Sequence, residues 1–356
     1  MNLLRPDKPA WAGPYHGGVT QSLLSTFQTC PFQFYLYAYC GLEETKALEP
    51  NLIWGDILHK GLEHLVAGDA INTATAKMLV YQNKEYPTAP RTYQFSTRNM
   101  LKCYPLHKLQ SWGGIDTEQH IEQEIELSAK HYCPITKLLL TQTFPVKLRG
   151  KVDLVAKDRT KFGDHKGKGK HAPHIDSLRE EINQDLQMNL YSYCLGHIEH
   201  WYYDVIRIPE AMPRTPTQKV SETPEQWADR IFFTHSDMMN GFPICKAPGL
   251  WMYQINHFQP KEENIYYFET TIRPLIHKLQ MWWEYVTHPD FDPEDPTFYN
   301  AIFYRAPVRN FNPTSTYSFK CRYHSYLIGK EPIENLRQVK SFYPELEEQK
   351  CPSKPQ

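Results

Sequence analysis

The sequence predicts an α/β fold: a central mixed sheet flanked by helices, with a helical N-terminal lobe. Three observations carry this. EQEIELS (Glu122 to Ser128), KVDLVA with FGDHK (between Lys151 and Lys166) and WYYDVIRI (Trp201 to Ile208) read as strands, by alternation or by β-branched and aromatic content. Apolar residues at helical spacing mark Thr20 to Leu42, Leu52 to Val66, about Leu178 to His197, and Glu262 to Val286. The 356 residues, 41% of them apolar and 13% aromatic, suffice for a sizeable core and exclude a disordered chain.

In chain order, residues 1–18 read as a loose leader containing Pro and Gly. Thr20 caps the first helix, TQSLLSTFQTCPFQFYLYAYCGL. A lobe over 19–120 carries the helix of His59 and Pro-broken helical patches over 70–115. The core is expected over 121–290, with a Pro- and Thr-rich loop at 209–225. Residues 291–356 read as an irregular, Pro-containing segment closing on the N-terminal helix, with a disordered tail.

Composition narrows the function classes. A net charge of −1 leaves nucleic-acid binding to local patches. The sequence has no apolar run long enough to cross a bilayer, and its start lacks the apolar segment of a signal peptide, so a cytoplasmic location without membrane contact is expected. None of the eight Cys forms a CxxC pair, which favours reduced thiols. The sequence lacks HExxH, which counts against a zinc hydrolase built on the 16 His. GKGK fits no P-loop frame, and no helicase motif occurs, so a helicase or recombination partner would be a separate chain.

The chemistry lies in the hairpin LRGKVDLVAKDRTKFGDHKGKGK, Leu148 to Lys170. Asp153, Asp164 and Lys166 interrupt its strands, where Asp and Lys are disfavoured. A turn centred between Asp158 and Arg159 sets Asp153 opposite Asp164; a turn shifted by one residue sets it opposite Lys166. Either way the three side chains share a face. Carboxylates that close repel unless a proton or cation lies between them, and hard divalent cations favour such oxygens. D-x₁₀-D-x-K thus suits metal-assisted phosphodiester hydrolysis, although for so short a pattern taken alone an exposed hairpin with a casual ion pair is the better explanation.

RGKVDLVAKD…FGDHKGKGK resembles the core of the PD-(D/E)XK nuclease superfamily, and is similar in particular to the RecB-like nucleases, including the CRISPR-associated RecB-like exonucleases. Three flanking elements extend the resemblance: SLLSTFQTCPFQFYLYAYCGL is similar to the family's opening helix, WGDILHKGLE to its G-x-x-x-H helix, and QMNLYSY to its Q-x-x-x-Y helix. The resemblance implies a restriction-endonuclease-like core and Mg²⁺- or Mn²⁺-dependent cleavage of DNA, more exonucleolytic than site-specific, and leaves repair, recombination, phage replication and adaptive immunity open as settings. It assigns metal binding to Asp153, Asp164, His59 and the backbone carbonyl of His165. Lys166 acts on water or phosphate, and Gln187 and Tyr191 on the scissile phosphate. The family's upstream Glu falls on Glu122 or Glu124. The basic loop from Lys157 to Lys170 holds six Lys or Arg against two Asp; beside a metal site, Lys168 and Lys170 would contact DNA.

One departure stands out. Many RecB-like relatives hold an iron–sulfur cluster on four Cys. Here Cys30 occupies the CP position, but YSFKCRYHSYLIG keeps only Cys321, so no cluster is expected. Rival readings are a structure-selective endonuclease, a catalytically silent DNA-binding subunit, and a zinc site using His324.

Overall fold

The computed structural model describes residues 6, 8–43, 50–104, 106, 109, 111–132, 139–168, 182–207, 218–234, 236–239, 242–245, 252–292 and 337–338. Strands β1 (Ile115–Tyr132), β2 (Leu139–Ala156), β3 (Lys161–Lys168), β4 (His200–Arg207) and β5 (Met252–Phe258) form one sheet in that order. β2 and β3 are antiparallel, β3 and β4 parallel, and β4 and β5 antiparallel, so the sheet is mixed, as expected. Among the described residues the helices of nine residues or more are α1 (Gln21–Thr29), α2 (Pro50–Val66), α3 (Ile71–Glu85), α4 (Arg91–Cys103), α5 (Leu186–Cys194), α6 (Pro224–Thr234) and α7 (Arg273–Thr287). Among the described residues no helix is long and apolar enough to cross a membrane.

Several elements differ from expectation, each for a local reason. The first helix stops at Thr29, because Cys30 is extended (φ −158°) and Pro31 cannot donate a hydrogen bond; a short helix Pro31–Phe34 and a π-helical turn Tyr35–Tyr39 follow. The helix expected from Leu178 begins, within the described residues, only at Leu186. Asp185 is its N-cap, accepting from the Met188 amide at 2.9 Å. Lys261–Tyr267 leads through a π-helical turn, Phe268–Ile272, into α7, with Pro274 in the first turn of α7. β5 carries little apolar signal, since Ile255 is buried but Phe258 is 54% exposed. The stretch before Thr20 is partly packed rather than loose. Trp11 is buried, its amide donates to the Ala38 carbonyl, and its indole donates to the Gly18 carbonyl at 3.0 Å.

The described residues fall into two compact units. The first draws on residues up to 46, 122–150 and from 268 onward. Its core is aromatic: Phe34 meets Trp11, Phe27 and Trp282 edge-on, with centroids 5.3–5.7 Å apart. The second, residues 47–121 and 151–267, carries two apolar clusters. One packs Trp54, Leu58 and Leu62 of α2 with Leu154, Ala156 and Ile206 of the sheet. The other packs Met188 and Tyr191 of α5 with Val155, Phe162, Trp201, Tyr203 and Val205. Alternation along β3 therefore turns Phe162, Asp164 and Lys166 toward α5 and His165 toward α2.

α2 and β3 approach closely at Gly167. A Cβ added to Gly167 would come within 3.4 Å of the Gly55 Cα, so helix backbone and strand backbone meet here almost directly. His59, one turn beyond Gly55, is thereby delivered to the strand. Trp201 is fully buried and its indole donates to the Ile198 carbonyl at 2.8 Å. Trp201→Ala is expected to cost about 3–5 kcal/mol in urea unfolding, from lost burial and the cavity left behind; a loss below about 1 kcal/mol would show that this cluster does not hold the sheet.

Candidate active site

The hairpin turn follows the first of the two registers. Leu154 pairs with Gly163 and Val155 with Phe162, which centres the turn between Asp158 and Arg159. Arg159 takes a left-handed φ of 58°, and the Asp158 carboxylate accepts from the Thr160 amide and hydroxyl. One step beyond the described ladder stand Asp153 and Asp164. There the His165 amide donates not to β2 backbone but to Asp153 Oδ2, at 2.7 Å.

Around Asp164 the bonds close into a ring. Lys166 Nζ lies 2.6 Å from Asp164 Oδ2 and donates to Gln187 Oε1 at 2.7 Å, while Gln187 Nε2 donates to Asp164 Oδ1 at 2.8 Å. The same Nε2 is 3.2 Å from the Tyr191 hydroxyl. Gln187 and Tyr191 share a face of α5 because they are four residues apart, and the Asp185 cap fixes where that helix begins. Tyr203 steadies the cap by donating to Asp185 Oδ2 at 2.5 Å.

On the other side of Asp153, a second group forms. Ligand-capable atoms of His59, Glu118 and Asp153 lie within 4.8 Å of one another. His59 Nε2 is 2.6 Å from the His165 carbonyl, which only accepts, so Nε2 carries the proton. That fixes the tautomer and leaves the Nδ1 lone pair directed at Asp153 Oδ2, 3.6 Å away. Here the His165 carbonyl orients His59. One imidazole nitrogen with carboxylate oxygens is a donor set that fits a divalent cation.

Glu118 did not emerge from sequence reasoning. It sits on β1 with φ 53°, unusual for a non-glycine residue, and pairs with Lys151. Glu122, by contrast, is exposed and bonded to Arg149 at 2.7 Å; Glu124 is exposed as well. The three acids have the same parity along β1, so alternation alone could not choose among them. Asp204 was also missed, although it interrupts WYYDVIRI just as Asp153 interrupts its own strand. It pairs with His165 in the β3–β4 register, with Nδ1 and Oδ2 3.3 Å apart.

The electrostatics follow from these distances. Burial and the neighbouring Asp164 raise the Asp153 carboxyl from 3.8 to about 6, against the pull of His59 and His165. Burial alone would lower Lys166, but Asp164 outweighs it and the ammonium is held above its ordinary range. Burial, then the charge of Asp164, pushes the Tyr191 phenol up, so it stays a hydroxyl. Burial alone would lower the His165 imidazole; the Asp204, Asp153 and Asp164 carboxylates raise it overall.

Lys168 ends β3, while Lys170, Cys321 and His324 lie outside the described residues. Cys30 is fully buried and caps the Pro31–Phe34 helix, its Sγ accepting from the Gln33 amide at 3.4 Å.

The raised Asp153 carboxyl has a consequence for the metal-free protein. Its folded value, about 6, exceeds the ordinary 3.8, so the folded state binds this proton more tightly than the unfolded chain does. The stabilisation is full below about pH 4 and is lost as pH rises to about 6, on the order of 2–3 kcal/mol. In EDTA, Asp153→Asn should melt above wild type at pH 7.5, and the gap should close by pH 4. A constant gap across that range would show that Asp153 does not titrate as described.

No curated protein sequence matches the chain. Among solved structures it is similar to a phage related exonuclease from Haemophilus somnus, with 10% identity, 68% of this chain and 96% of that one covered, and a TM-score of 0.29. It is also similar to the protein SSO0001, with 13% identity, 64% and 86% covered, and a TM-score of 0.19. The family model of the PD-(D/E)XK nuclease superfamily matches residues 19–242, a span that holds Asp153, Asp164, Lys166 and every side chain gathered around them. The chain belongs to the PD-(D/E)XK nuclease superfamily.

Proposed function

We propose that this nuclease is a divalent-metal-dependent deoxyribonuclease of the RecB-like kind, acting on DNA ends. One observation carries the reading: His59, Asp153, Asp164, Lys166, Gln187 and Tyr191, drawn from three separated motifs, converge on one strand fork. Superfamily membership supports the nuclease and its use of divalent metals. The order and convergence of the G-x-x-x-H and Q-x-x-x-Y elements support the RecB-like subgroup.

Asp153, Asp164, His59 and Glu118 would hold Mg²⁺ or Mn²⁺. When bound, the cation would neutralise the carboxylates, acidify a water and offset charge on the phosphate. The residues of the chain do the rest. Lys166 keeps its proton, so it orients water or neutralises phosphate rather than serving as a base. Gln187 fixes the Lys166 ammonium against Asp164, and its position beside the Tyr191 hydroxyl suits both to orienting the scissile phosphate. Lys168 and Lys170 would contact the DNA backbone. A helicase or recombination partner would supply the motor that this chain lacks.

The direct test uses purified protein with Mg²⁺ or Mn²⁺ on end-labelled linear DNA and on closed circular DNA. Linear DNA should be degraded and circles spared; nicking of circles would instead favour a structure-selective endonuclease. Binding without turnover in either metal would favour a silent DNA-binding subunit.

Single substitutions separate the roles. Asp153→Asn should abolish cleavage and weaken metal binding. Lys166→Ala should slow cleavage by on the order of 10²–10³-fold while metal still binds, because Lys supplies no ligand. His59→Ala should be milder, with partial rescue at higher Mn²⁺. Gln187→Ala and Tyr191→Ala should slow cleavage with metal affinity nearly unchanged. Wild-type cleavage by Asp153→Asn, or loss of metal from a folded Gln187→Ala, would overturn these assignments.

A further inference from the structure

His165 touches the candidate metal centre twice through its backbone, while its ring meets only the edge of the His59 ring. Its amide donates to Asp153 Oδ2 at 2.7 Å, and its carbonyl accepts from His59 Nε2 at 2.6 Å. Any rotation of this residue about the strand axis would misdirect both side chains at once. The ladder to β4 runs through this residue, but glycines at 163 and 167 bracket Asp164–His165–Lys166 and add no side-chain anchor to it. A further anchor must back the ladder.

The imidazole does so from the far face of the sheet. Its Nδ1 lies 3.3 Å from Asp204 Oδ2, on the neighbouring strand at the paired position. Asp204 is itself pinned from two further elements: the Tyr104 hydroxyl donates to Oδ2, and Gln254 of β5 donates to Oδ1 at 2.9 Å. The rings of Tyr104 and His59 meet the imidazole edge-on at 5.7 and 5.6 Å. Stability alone explains this arrangement poorly, because a buried ion pair is often no better than apolar packing of the same volume.

We infer that Asp204 is a positioning residue for the metal centre, acting through the His165 ring to hold the peptide that orients Asp153 and His59. The inference rests on the metal-binding role proposed above for those two residues. Asp204 is 7% exposed and its side chain faces the α2 side of the sheet, away from Asp164 and Lys166, so it influences the reaction without contact with DNA.

Mn²⁺ titration of the full chain, by electron paramagnetic resonance or calorimetry, tests this on protein shown to be folded by circular dichroism. Asp204→Asn, which keeps the shape, should weaken Mn²⁺ binding about tenfold or more, as loss of a supporting partner does elsewhere. Saturating Mn²⁺ should then restore cleavage toward wild type. In a His165→Gln background the same substitution should have little further effect, because the coupling runs through the ring. Unchanged Mn²⁺ affinity in folded Asp204→Asn, or a fully additive loss in the double variant, overturns the inference. Should Asp204→Asn not fold, Tyr104→Phe decides: weaker Mn²⁺ binding than wild type is expected, and wild-type affinity overturns it. If wild type itself binds no Mn²⁺, the metal-binding role of Asp153 and His59 falls, and this inference with it. If wild type binds and the variant matches it, only the inference falls.

Discussion

Two carboxylates that face each other across an antiparallel strand pair are the constraint on which the site depends. Asp153 and Asp164 repel, and the protein answers from three directions. The His165 amide bonds to one carboxylate, the Lys166 ammonium and Gln187 amide bond to the other, and His59 presents its Nδ1 lone pair between the strands and α2. Burial first, and the charge of Asp164 second, still hold the Asp153 carboxyl near 6 against these contacts. A divalent cation bound here would offset the charge that remains.

The scaffold reads as a set of devices for holding that conflict in place. The Asp158 turn fixes the register, the Gly55–Gly167 contact brings α2 against β3, and the Asp185 cap starts α5 where Gln187 reaches the fork. Each device is cheap, amounting to one cap, one pair of small residues and one turn. Their targets are separated by up to about a hundred residues in sequence, so the site forms only once the sheet has formed. Its geometry is a readout of folding as much as of local sequence.

Much of this was legible beforehand because strand parity and short motifs are local. Charges in an apolar strand pointed to Asp153, Asp164 and Lys166, and the resemblance added His59, Gln187 and Tyr191. What escaped depended on register across strands. Asp204 is meaningful only because β4 runs parallel to β3 with residue 204 beside 165. Glu118 could not be told from Glu122 or Glu124 by alternation, and its selection came with a left-handed backbone that no periodicity encodes. Helix ends were misjudged where one residue decides, as Pro31 ends α1 and Asp185 opens α5.

The hairpin also carries an arithmetic of its own. Because side chains alternate, the face that receives Asp164 and Lys166 is decided by which residue of β3 stands opposite Leu154. A slip of one residue in that pairing would exchange the faces, sending the acid and the ammonium toward α2 and the imidazole toward α5. A slip of two would preserve them. The ladder that joins β3 to β4 from Lys161 to Lys168 opposes any such slip, so the turn can change length while the faces stay put. The neighbouring strand thus acts as a parity check on the candidate site.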